Sequence, residues 1–462
     1  MTDNQAVPTE LGTEKISKLL KNYAVPAIIA MTASSLYNMV DSIFIGQGVG
    51  ALAISGLAIT FPLMNLSTAF GTLVGVGGAT MLSILLGQKN YAAANKVLGN
   101  IVTLNILVGL IFMAVALMFL DPILMFFGAS ENTIGYAREY MQIILAGNAV
   151  THLYFGLNGA MRSSGNPRTA MGLTLFTVIF NTILDPVMIF VLDLGIKGAA
   201  WATVLSQTLA LIVIMVLFSD KKKVLHFEKG ICRFDWRIAK DSTEIGFGPF
   251  LMNAASCIVT IFINKQLVRY CGDLGVGAYG INNRLTFLFI MICMGFNQGM
   301  QPIAGYNYGA RKYKRVIEVY KKTTNMATVI VTSAFLCSVL IPRTLAGIFT
   351  HDPELIELSA HGLRIMNCCI WSIGISMIAT NLFQSLGMIT KSIFLSLVRQ
   401  LIILVPLLYV LPLFLDGDGV WWSFPISDIL AAAIALVMRA KLLRQLNSLN
   451  DGDDPAVLGS RM

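Results

Sequence analysis

Two aspartates, Asp41 and Asp185, each lie within a run of apolar residues long enough to cross a lipid bilayer. An ionised carboxylate at the centre of a membrane helix costs about 2.5–3.5 kcal/mol on insertion scales. A chain that keeps two such groups is expected to bind something to them or to neutralise them. The two acids therefore predict a site for a cation or a proton within the membrane.

Amide side chains accompany both acids. Asn181 lies four residues before Asp185, and Asn38 lies three residues before Asp41, so each pair shares one helix face. Pro186 follows Asp185 directly and leaves a carbonyl about one turn earlier without its usual hydrogen-bond donor. Each acid thus has an amide on its own helix face, and the second acid also has an unpaired carbonyl nearby.

Three further polar residues lie in the same or nearby spans: Tyr37, Asn158 and Thr203. Carboxylate, amide and hydroxyl oxygens are hard ligands, which suit a hard cation such as Na⁺. Two carboxylates that lie close together away from water could hold a proton instead. Asn158 or Thr203 alone could simply hydrogen-bond helices together, as intramembrane Asn and Thr often do, but that role does not require two acids.

The composition indicates that these polar residues belong to an integral membrane protein. The chain is 56% hydrophobic and 13% charged, whereas soluble domains carry about 25% charged residues. A membrane helix needs about 20 mostly apolar residues, and such windows recur along nearly the whole chain. We place twelve spans at 16–45, 52–85, 96–120, 133–161, 169–192, 198–218, 243–270, 276–308, 318–342, 355–385, 392–415 and 419–440.

The chain has a net charge of +8, and its charged residues are concentrated in the loops between the predicted spans. Lysines and arginines collect in loops on one side, for example Lys221, Lys222 and Lys223, whereas acids such as Asp193 and Asp273 dominate the opposite loops. This asymmetry follows the positive-inside rule and predicts both termini in the cytoplasm. The polar start of the chain lacks the pattern of a signal peptide. We therefore expect a multi-pass protein of a bacterial or archaeal inner membrane that does not bind nucleic acid.

The chain repeats itself at an offset of about 222 residues, which pairs Gly87 with Gly309 and Tyr91 with Tyr313. Two related six-helix bundles in parallel orientation are a known transporter plan. The predicted division is a tail at 1–14, a first lobe at 15–218, a linker at 219–241, a second lobe at 242–445 and a tail at 446–462. The repeat aligns Asp41 with Asn264 and Asp185 with Leu407, so the acids are not needed to build the fold.

The second half carries embedded basic residues instead: Lys265, Arg284 and Arg399. Each could extend its charge to the membrane surface, serve as an internal counter-charge, or contact an anionic substrate group. The seven cysteines form no CxxC pair, and we interpret them as small buried hydrophobic residues.

The chain resembles the multidrug and toxic compound extrusion (MATE) family of the MOP superfamily from about residue 15 to 445. The resemblance rests on segments that begin at Tyr37, Gly75, Gly156, Asn181 and Gln298: YNMVDSIFIG, GVGGATMLSILLGQ, GLNGAMRSSGNPRTAM, NTILDP and QGMQPIAGYNYGA. It implies an all-α polytopic membrane protein with twelve transmembrane helices in two pseudo-symmetric six-helix bundles. It also implies a secondary antiporter that exports amphipathic or cationic organic compounds in exchange for Na⁺ or H⁺ by alternating access.

The resemblance also assigns residues. The family's amino-lobe cation site, where Na⁺ could bind, corresponds to Asp41, Asn181, Asp185 and Thr203. The expected substrate or cavity-lining residues are Tyr37, Asn38, Asn158, Gln298 and Gln301, and Pro26 is expected to bend the first helix. The carboxylates that some members carry in the second lobe are missing here, which favours coupling in the first lobe. We expect no cofactor and no catalytic residue.

Three other classes are possible, one of them a channel, although repeated bundles with asymmetric chemistry favour alternating access. A flippase for lipid-linked oligosaccharides or cell-wall precursors, from the same superfamily, would be expected to line its cavity with basic residues, and the three in the second half keep this alternative open. An intramembrane aspartyl protease would need a glycine pattern next to its acids, whereas Asp185 is followed by Pro186. The expected partners are small organic molecules and membrane lipids, and we expect a monomer.

Overall fold

The computed structural model describes residues 9–49, 51–127, 129–227, 235–349 and 352–453. These residues form seventeen α-helices and two π-helical segments, and no strand occurs among them. The all-α membrane fold predicted from the sequence is confirmed.

The helices of the first half alternate between long spans and short pieces. They are α1 (Glu10–Thr13), α2 (Ile16–Gly48), α3 (Ala51–Gly87), α4 (Tyr91–Met118), α5 (Leu120–Phe126), α6 (Ile134–Ala146), α7 (Asn148–Ser163), α8 (Pro167–Pro186), the π-helical segment Val187–Val191 and α9 (Ile196–Phe218).

The second half begins with a helix that is interrupted once. Helix α10 (Trp236–Gly309) breaks at Gly272, whose φ of 67° lies in the left-handed region that glycine tolerates. The remaining elements are α11 (Tyr313–Leu340), α12 (Pro342–Gly347), α13 (Pro353–Met366), α14 (Ile370–Ser385), α15 (Ile389–Leu397), the π-helical segment Val398–Leu404, α16 (Val405–Val410) and α17 (Pro412–Ser448).

Eight helices in the described ranges are long and apolar enough to cross a membrane, or nine if the bent pair α13 and α14 is one span. Helices α2, α6, α7 and α17 are outside that set. Helix α2 carries Asp41 and its polar neighbours, and α6 and α7 are each shorter than a bilayer requires. The count of twelve spans stays a prediction.

Four of the spans placed on the sequence as single helices are interrupted in the structure. Gly147 separates α6 from α7, and residues 367–369 form a turn between α13 and α14. The other two spans pass into π-helical segments, the first directly after Pro186. A proline or a local turn frees backbone groups and bends the helix, and π-helical segments are frequent at functional sites.

The described residues fall into two compact units. The first contains the chain up to Thr13 and Ile29–Asn253, and the second contains Glu14–Ile28 and the chain from Ala254 onward. The sequence-based division at 15–218 and 242–445 stays a prediction. Helices α2 and α10 each change unit a few residues after a proline, Pro26 in one case and Pro249 in the other.

Candidate cation site and adjoining cavity

Asp41 and Asp185 are both buried in the first unit, with 5% and 0% of their surface exposed. Asp41 lies on α2 and Asp185 on the last turn of α8, and the two carboxyl groups interact electrostatically. The Oδ1 atom of each has no hydrogen-bond partner in the structure. A buried carboxylate oxygen without a hydrogen-bond partner is costly, so the two acids are candidates for binding a cation or a proton.

Asn181 and Thr203 connect Asp185 to a network of neutral hydrogen bonds. With the Asn181 amide oriented to satisfy both of its ends, Nδ2 donates to Asp185 Oδ2 at 3.0 Å. Its Oδ1 accepts from the Thr203 backbone N–H at 2.9 Å and from the Thr203 hydroxyl at 3.2 Å. The Tyr37 hydroxyl lies 2.9 Å from Thr203 Oγ1. Hydrogen bonds thus join three of the four residues predicted for the cation site, Asn181, Asp185 and Thr203, with Tyr37 beside them. Asp41 interacts electrostatically with Asp185 and Tyr37.

Tyr140 of α6 is a further neighbour of the two acids that the sequence did not reveal. It is buried and interacts electrostatically with Asp41, Tyr37 and Asp185. It also belongs to a hydrophobic cluster with Ile45. An aromatic residue on an amphipathic helix is typical of a core position, so nothing in the sequence distinguished it.

A cavity of about 240 Å³ adjoins this network within the first unit. Tyr37, Asn181 and Thr203 form part of its wall, whereas neither acid does. Most other polar lining groups are neutral hydroxyls and amides: Ser67, Asn148, Thr151, Thr174, Ser206 and Gln207. Asp185 therefore reaches the cavity wall through its hydrogen bond to Asn181, which lines it.

The structure does not place every candidate on this wall. Asn158 lies outside the cavity lining: its Nδ2 donates to the Ala170 carbonyl at 3.0 Å, and its Oδ1 accepts from Arg162 at 2.9 Å. It therefore joins α7 to α8, which was the alternative that the sequence left open. Sequence periodicity could not distinguish these roles, because it does not show which face of α7 meets the cavity.

The remaining candidates lie elsewhere or outside the description. Gln298 and Gln301 belong to the second unit and do not line this cavity. The side chain of Asn38 lies outside the described residues. Pro26 lies inside the continuous helix α2, close to the point where that helix passes from one unit to the other. A proline there removes one backbone hydrogen bond.

His152 forms a second buried polar group next to the cavity. Its Nε2 lies 2.9 Å from the Ser67 carbonyl and 3.2 Å from Ser67 Oγ, and that hydroxyl donates to Asn148 Oδ1 at 2.5 Å. Both Ser67 and Asn148 line the cavity. The sequence analysis did not single out this histidine, although an intramembrane histidine is itself an unusual feature.

The embedded charges of the second unit include an acid as well as the three bases. Arg399 Nε donates to Asp428 Oδ1 at 2.5 Å, and Asp428 is only 1% exposed. For Arg399 the structure therefore shows the internal counter-charge. Lys265 and Arg284 are exposed on α10. The sequence analysis missed Asp428, although it lies inside a predicted span as Asp185 does.

We expect Arg399→Gln to destabilise the protein strongly, because it leaves the buried Asp428 carboxylate without a counter-charge. Removing one member of a buried ion pair costs about 3–5 kcal/mol, whereas replacing both members is often nearly neutral. Arg399→Gln combined with Asp428→Asn should therefore recover most of the loss. The thermal unfolding midpoint of the detergent-solubilised variants measures the difference. A double variant as unstable as the single one would contradict this account of the pair.

Comparison with known proteins places the chain in a family. The MatE family matches residues 26–187 and 245–410, once in each half of the predicted repeat. The multidrug export protein MepA of Staphylococcus haemolyticus is 28% identical over 431 residues, which cover 93% of this chain and 95% of that protein. The solved structure of the MATE multidrug transporter DinF-BH is 35% identical with a TM-score of 0.89 and covers 97% of this chain and 100% of its own.

A second solved structure supports the fold alone. The outward-facing conformation of a multidrug resistance MATE family transporter of the MOP superfamily matches with a TM-score of 0.90 at 22% identity and covers 97% of this chain and 100% of its own. The family match extends over well over half of the sequence and includes Asp41 and Asp185. From this match and the full-length similarity to DinF-BH, we conclude that the chain belongs to the MatE family of membrane transporters.

Proposed function

We propose that the protein is a multidrug efflux antiporter, which exports amphipathic and cationic organic compounds in exchange for Na⁺ or H⁺ by alternating access. The observation that carries the proposal is the buried pair Asp41 and Asp185. Each keeps one carboxylate oxygen without a hydrogen-bond partner, and the other oxygen of Asp185 connects through Asn181 and Thr203 to a cavity. The relatives support the cargo, since one is named a multidrug export protein and another a multidrug transporter.

The donor set fits the proposed ions. The unpaired Oδ1 atoms of Asp41 and Asp185 would hold Na⁺, with Asn181 Oδ1 and Thr203 Oγ1 as neutral ligands; either carboxylate could instead take a proton. All four are hard oxygen donors. Among the described residues, no group of three or more His, Cys, Asp or Glu side chains could hold a metal ion. The set therefore suits an alkali cation or a proton better than a transition metal.

The coupling ion and the Asn181 amide would compete for the Asp185 carboxylate, and this competition would couple ion binding to substrate binding. A ligand shifts a conformational equilibrium only through its differential affinity for the two states. A cation on Asp185 would reduce the carboxylate's attraction for the Asn181 amide, and a reoriented amide would change the partners of Thr203 and Tyr37. Because these residues form part of the cavity wall, the ion and the substrate would favour different arrangements of the same wall.

The membrane potential supplies enough free energy for this exchange. One charge that crosses 100 mV releases about 2.3 kcal/mol. Since about 1.4 kcal/mol corresponds to a factor of ten, one such charge supports a roughly fiftyfold gradient of a neutral substrate.

The cavity suits substrates of varied shape. Methionines and an aromatic ring, Met64, Met141 and Phe155, join the neutral polar groups on its wall. Methionine adapts to different ligands because its side chain is flexible and polarizable. Ligand cavities typically measure about 300–1,000 Å³, so the 240 Å³ here accommodates a small drug or one part of a larger one.

The flippase alternative receives less support. A lipid pyrophosphate needs several unpaired basic groups, and the Arg399 charge is neutralised by Asp428. Of the three basic residues predicted within the spans of the second half, only Lys265 and Arg284 lie outside this ion pair. We therefore favour the export of organic compounds over lipid flipping. We further propose that the protein is a monomer without enzymatic activity. We place it in the inner membrane with both termini in the cytoplasm.

The decisive experiment measures export of a fluorescent organic cation from proteoliposomes under a Na⁺ gradient at equal pH, and separately under a pH gradient without Na⁺. The proposal expects a response to at least one of the two gradients. A response to neither would overturn the antiporter. Movement of a lipid pyrophosphate that depends on Arg284 would favour the flippase.

Thr203→Val should distinguish Na⁺ from H⁺ as the coupling ion. The change keeps the shape of the side chain and removes a hydroxyl oxygen that would bind Na⁺ directly. If Na⁺ is the ion, we expect its half-saturating concentration in the transport assay to rise about tenfold, since a hydrogen bond to a charged group contributes about 1.5–3 kcal/mol. If H⁺ is the ion, the half-saturating proton concentration should change far less, because the hydroxyl does not bind the proton directly.

Thr208→Val is the matched control for this substitution. Thr208 lies on the same helix, and its hydroxyl donates only to the Val204 carbonyl of that helix. Equal effects of the two substitutions on Na⁺-driven transport would show that Thr203 is not an ion ligand.

A further inference from the structure

Two adjacent cysteines, Cys368 and Cys369, face each other in the second unit. Their sulfur atoms lie 3.6 Å apart. Adjacent residues of a regular helix point in different directions, so this arrangement needs a break. The chain supplies one, because α13 and α14 are bent by 53° and Cys369 has non-helical φ and ψ of −119° and 23°.

Buried hydrogen bonds hold the backbone in place at this break between α13 and α14. The Asn367 Oδ1 accepts from the Thr286 hydroxyl at 3.1 Å, and its Nδ2 donates to Ser338 Oγ at 3.0 Å. All three side chains are buried. The Cys369 carbonyl accepts from the Ser372 hydroxyl at 2.7 Å. The position of the dithiol is therefore set by α10, α11 and α14, and both cysteines are only partly buried.

We propose that Cys368 and Cys369 form a binding site for trivalent organoarsenicals. In the reaction R–As(OH)₂ + 2 R′SH → R–As(SR′)₂ + 2 H₂O, two As–O bonds and two S–H bonds break. Two As–S bonds form, and the arsenic and the sulfurs keep their oxidation states. The pair is a site because both thiols reach one arsenic atom, which gives the chelate its resistance to monothiols.

The distance between the two sulfur atoms indicates which thiol-binding element can bridge them. Bonds from sulfur to a soft central atom are about 2.3 Å long, as for zinc. An ion with linear two-coordinate geometry would hold the sulfurs about 4.6 Å apart, twice that length, which exceeds the observed 3.6 Å. Pyramidal arsenic bends the S–As–S angle and so fits the shorter distance.

The number of ligands excludes a structural zinc ion. Zinc takes four protein ligands in such sites, and the described residues offer no group of three or more His, Cys, Asp or Glu side chains with suitable placement. An organoarsenical brings its own carbon substituent and needs only two thiols, which is what Cys368 and Cys369 provide.

The test uses phenylarsine oxide on the full-length purified protein, with peptide mass spectrometry to locate the adduct. We expect one phenylarsenic group per chain, on the peptide that contains both cysteines. The adduct should survive excess 2-mercaptoethanol and be removed by 2,3-dimercaptopropanol. Cys368→Ser and Cys369→Ser should each lose the resistant adduct, whereas Cys257→Ser, which removes another partly buried thiol of the second unit, should retain it.

The wild-type mapping keeps the test informative even if a serine variant fails to fold. A resistant adduct on any other peptide, or an adduct on this peptide that 2-mercaptoethanol removes, would overturn the proposal. Neither result depends on transport, so failure here and failure of the antiporter are separate outcomes.

Discussion

Asp41→Asn and Asp185→Asn are each expected to lower the affinity for the coupling ion at least about 100-fold and to abolish ion-driven efflux. Each substitution removes a buried carboxylate charge but keeps nearly the same shape. Losing one partner of a buried, charge-compensated contact costs about 3–5 kcal/mol, and about 1.4 kcal/mol corresponds to a factor of ten. Since the orphan Oδ1 atoms belong to these two side chains, few other single changes should have so large an effect on coupling.

The same variants should not lose stability when the coupling ion is absent. A buried carboxylate with an unpaired oxygen and no counter-charge is costly, and asparagine carries no charge, so the unfolding midpoint should stay constant or rise. A coupling ion that binds only the folded state stabilises the wild type by mass action. The wild-type midpoint should therefore rise with added Na⁺, or at lower pH if the ion is H⁺, and the variants should not respond.

Asp193→Asn is the matched control for these measurements. Asp193 is an exposed acid that follows the same span as Asp185, and its replacement should leave both transport and the ion-dependent midpoint unchanged. Full coupled transport by both Asp41→Asn and Asp185→Asn would remove these residues from the coupling mechanism.

The sequence predicted the candidate site wherever burial in a membrane makes a residue costly. Asp41 and Asp185 stood out for that reason, and the four-residue spacing placed Asn181 beside Asp185 on one helix face. Asp428 satisfied the same criterion and could have been found by it. Tyr140 could not, because an aromatic residue in a membrane helix carries no comparable cost and only the packing of α6 brings it to the acids.

Long-range geometry was the part that could not be predicted. Asn158 and Thr203 had equal standing as polar residues in spans, yet Asn158 bonds to Arg162 while Thr203 bonds to Asn181. The division into units also depends on contacts between distant segments. The glycines of α3 illustrate this, because composition alone does not show which of them meets another helix.

Gly77→Ala and Gly246→Ala are expected to destabilise the first unit severely. A Cβ on Gly77 would overlap the Ser242 carbonyl oxygen of α10, and a Cβ on Gly246 would overlap the Leu73 carbonyl oxygen of α3. Overpacking usually costs about 1–3 kcal/mol. Here we expect at least the upper end, because the obstructing atoms are backbone of another helix and cannot rotate away. Small residues at such crossings let membrane helices approach closely.

The readouts are the yield of monodisperse protein and the unfolding midpoint in detergent, with Gly172→Ala as the control. Gly172 lies in α8 with nothing within 4 Å of its added Cβ, so alanine there should raise helix stability by about 0.5–1 kcal/mol. Because Gly77 and Gly246 lie at the same crossing, the double variant should cost less than the two single losses added together. Normal yield and midpoint for both single variants would mean that α3 and α10 do not approach each other this closely, whereas additive losses would mean that the two glycines act at independent contacts.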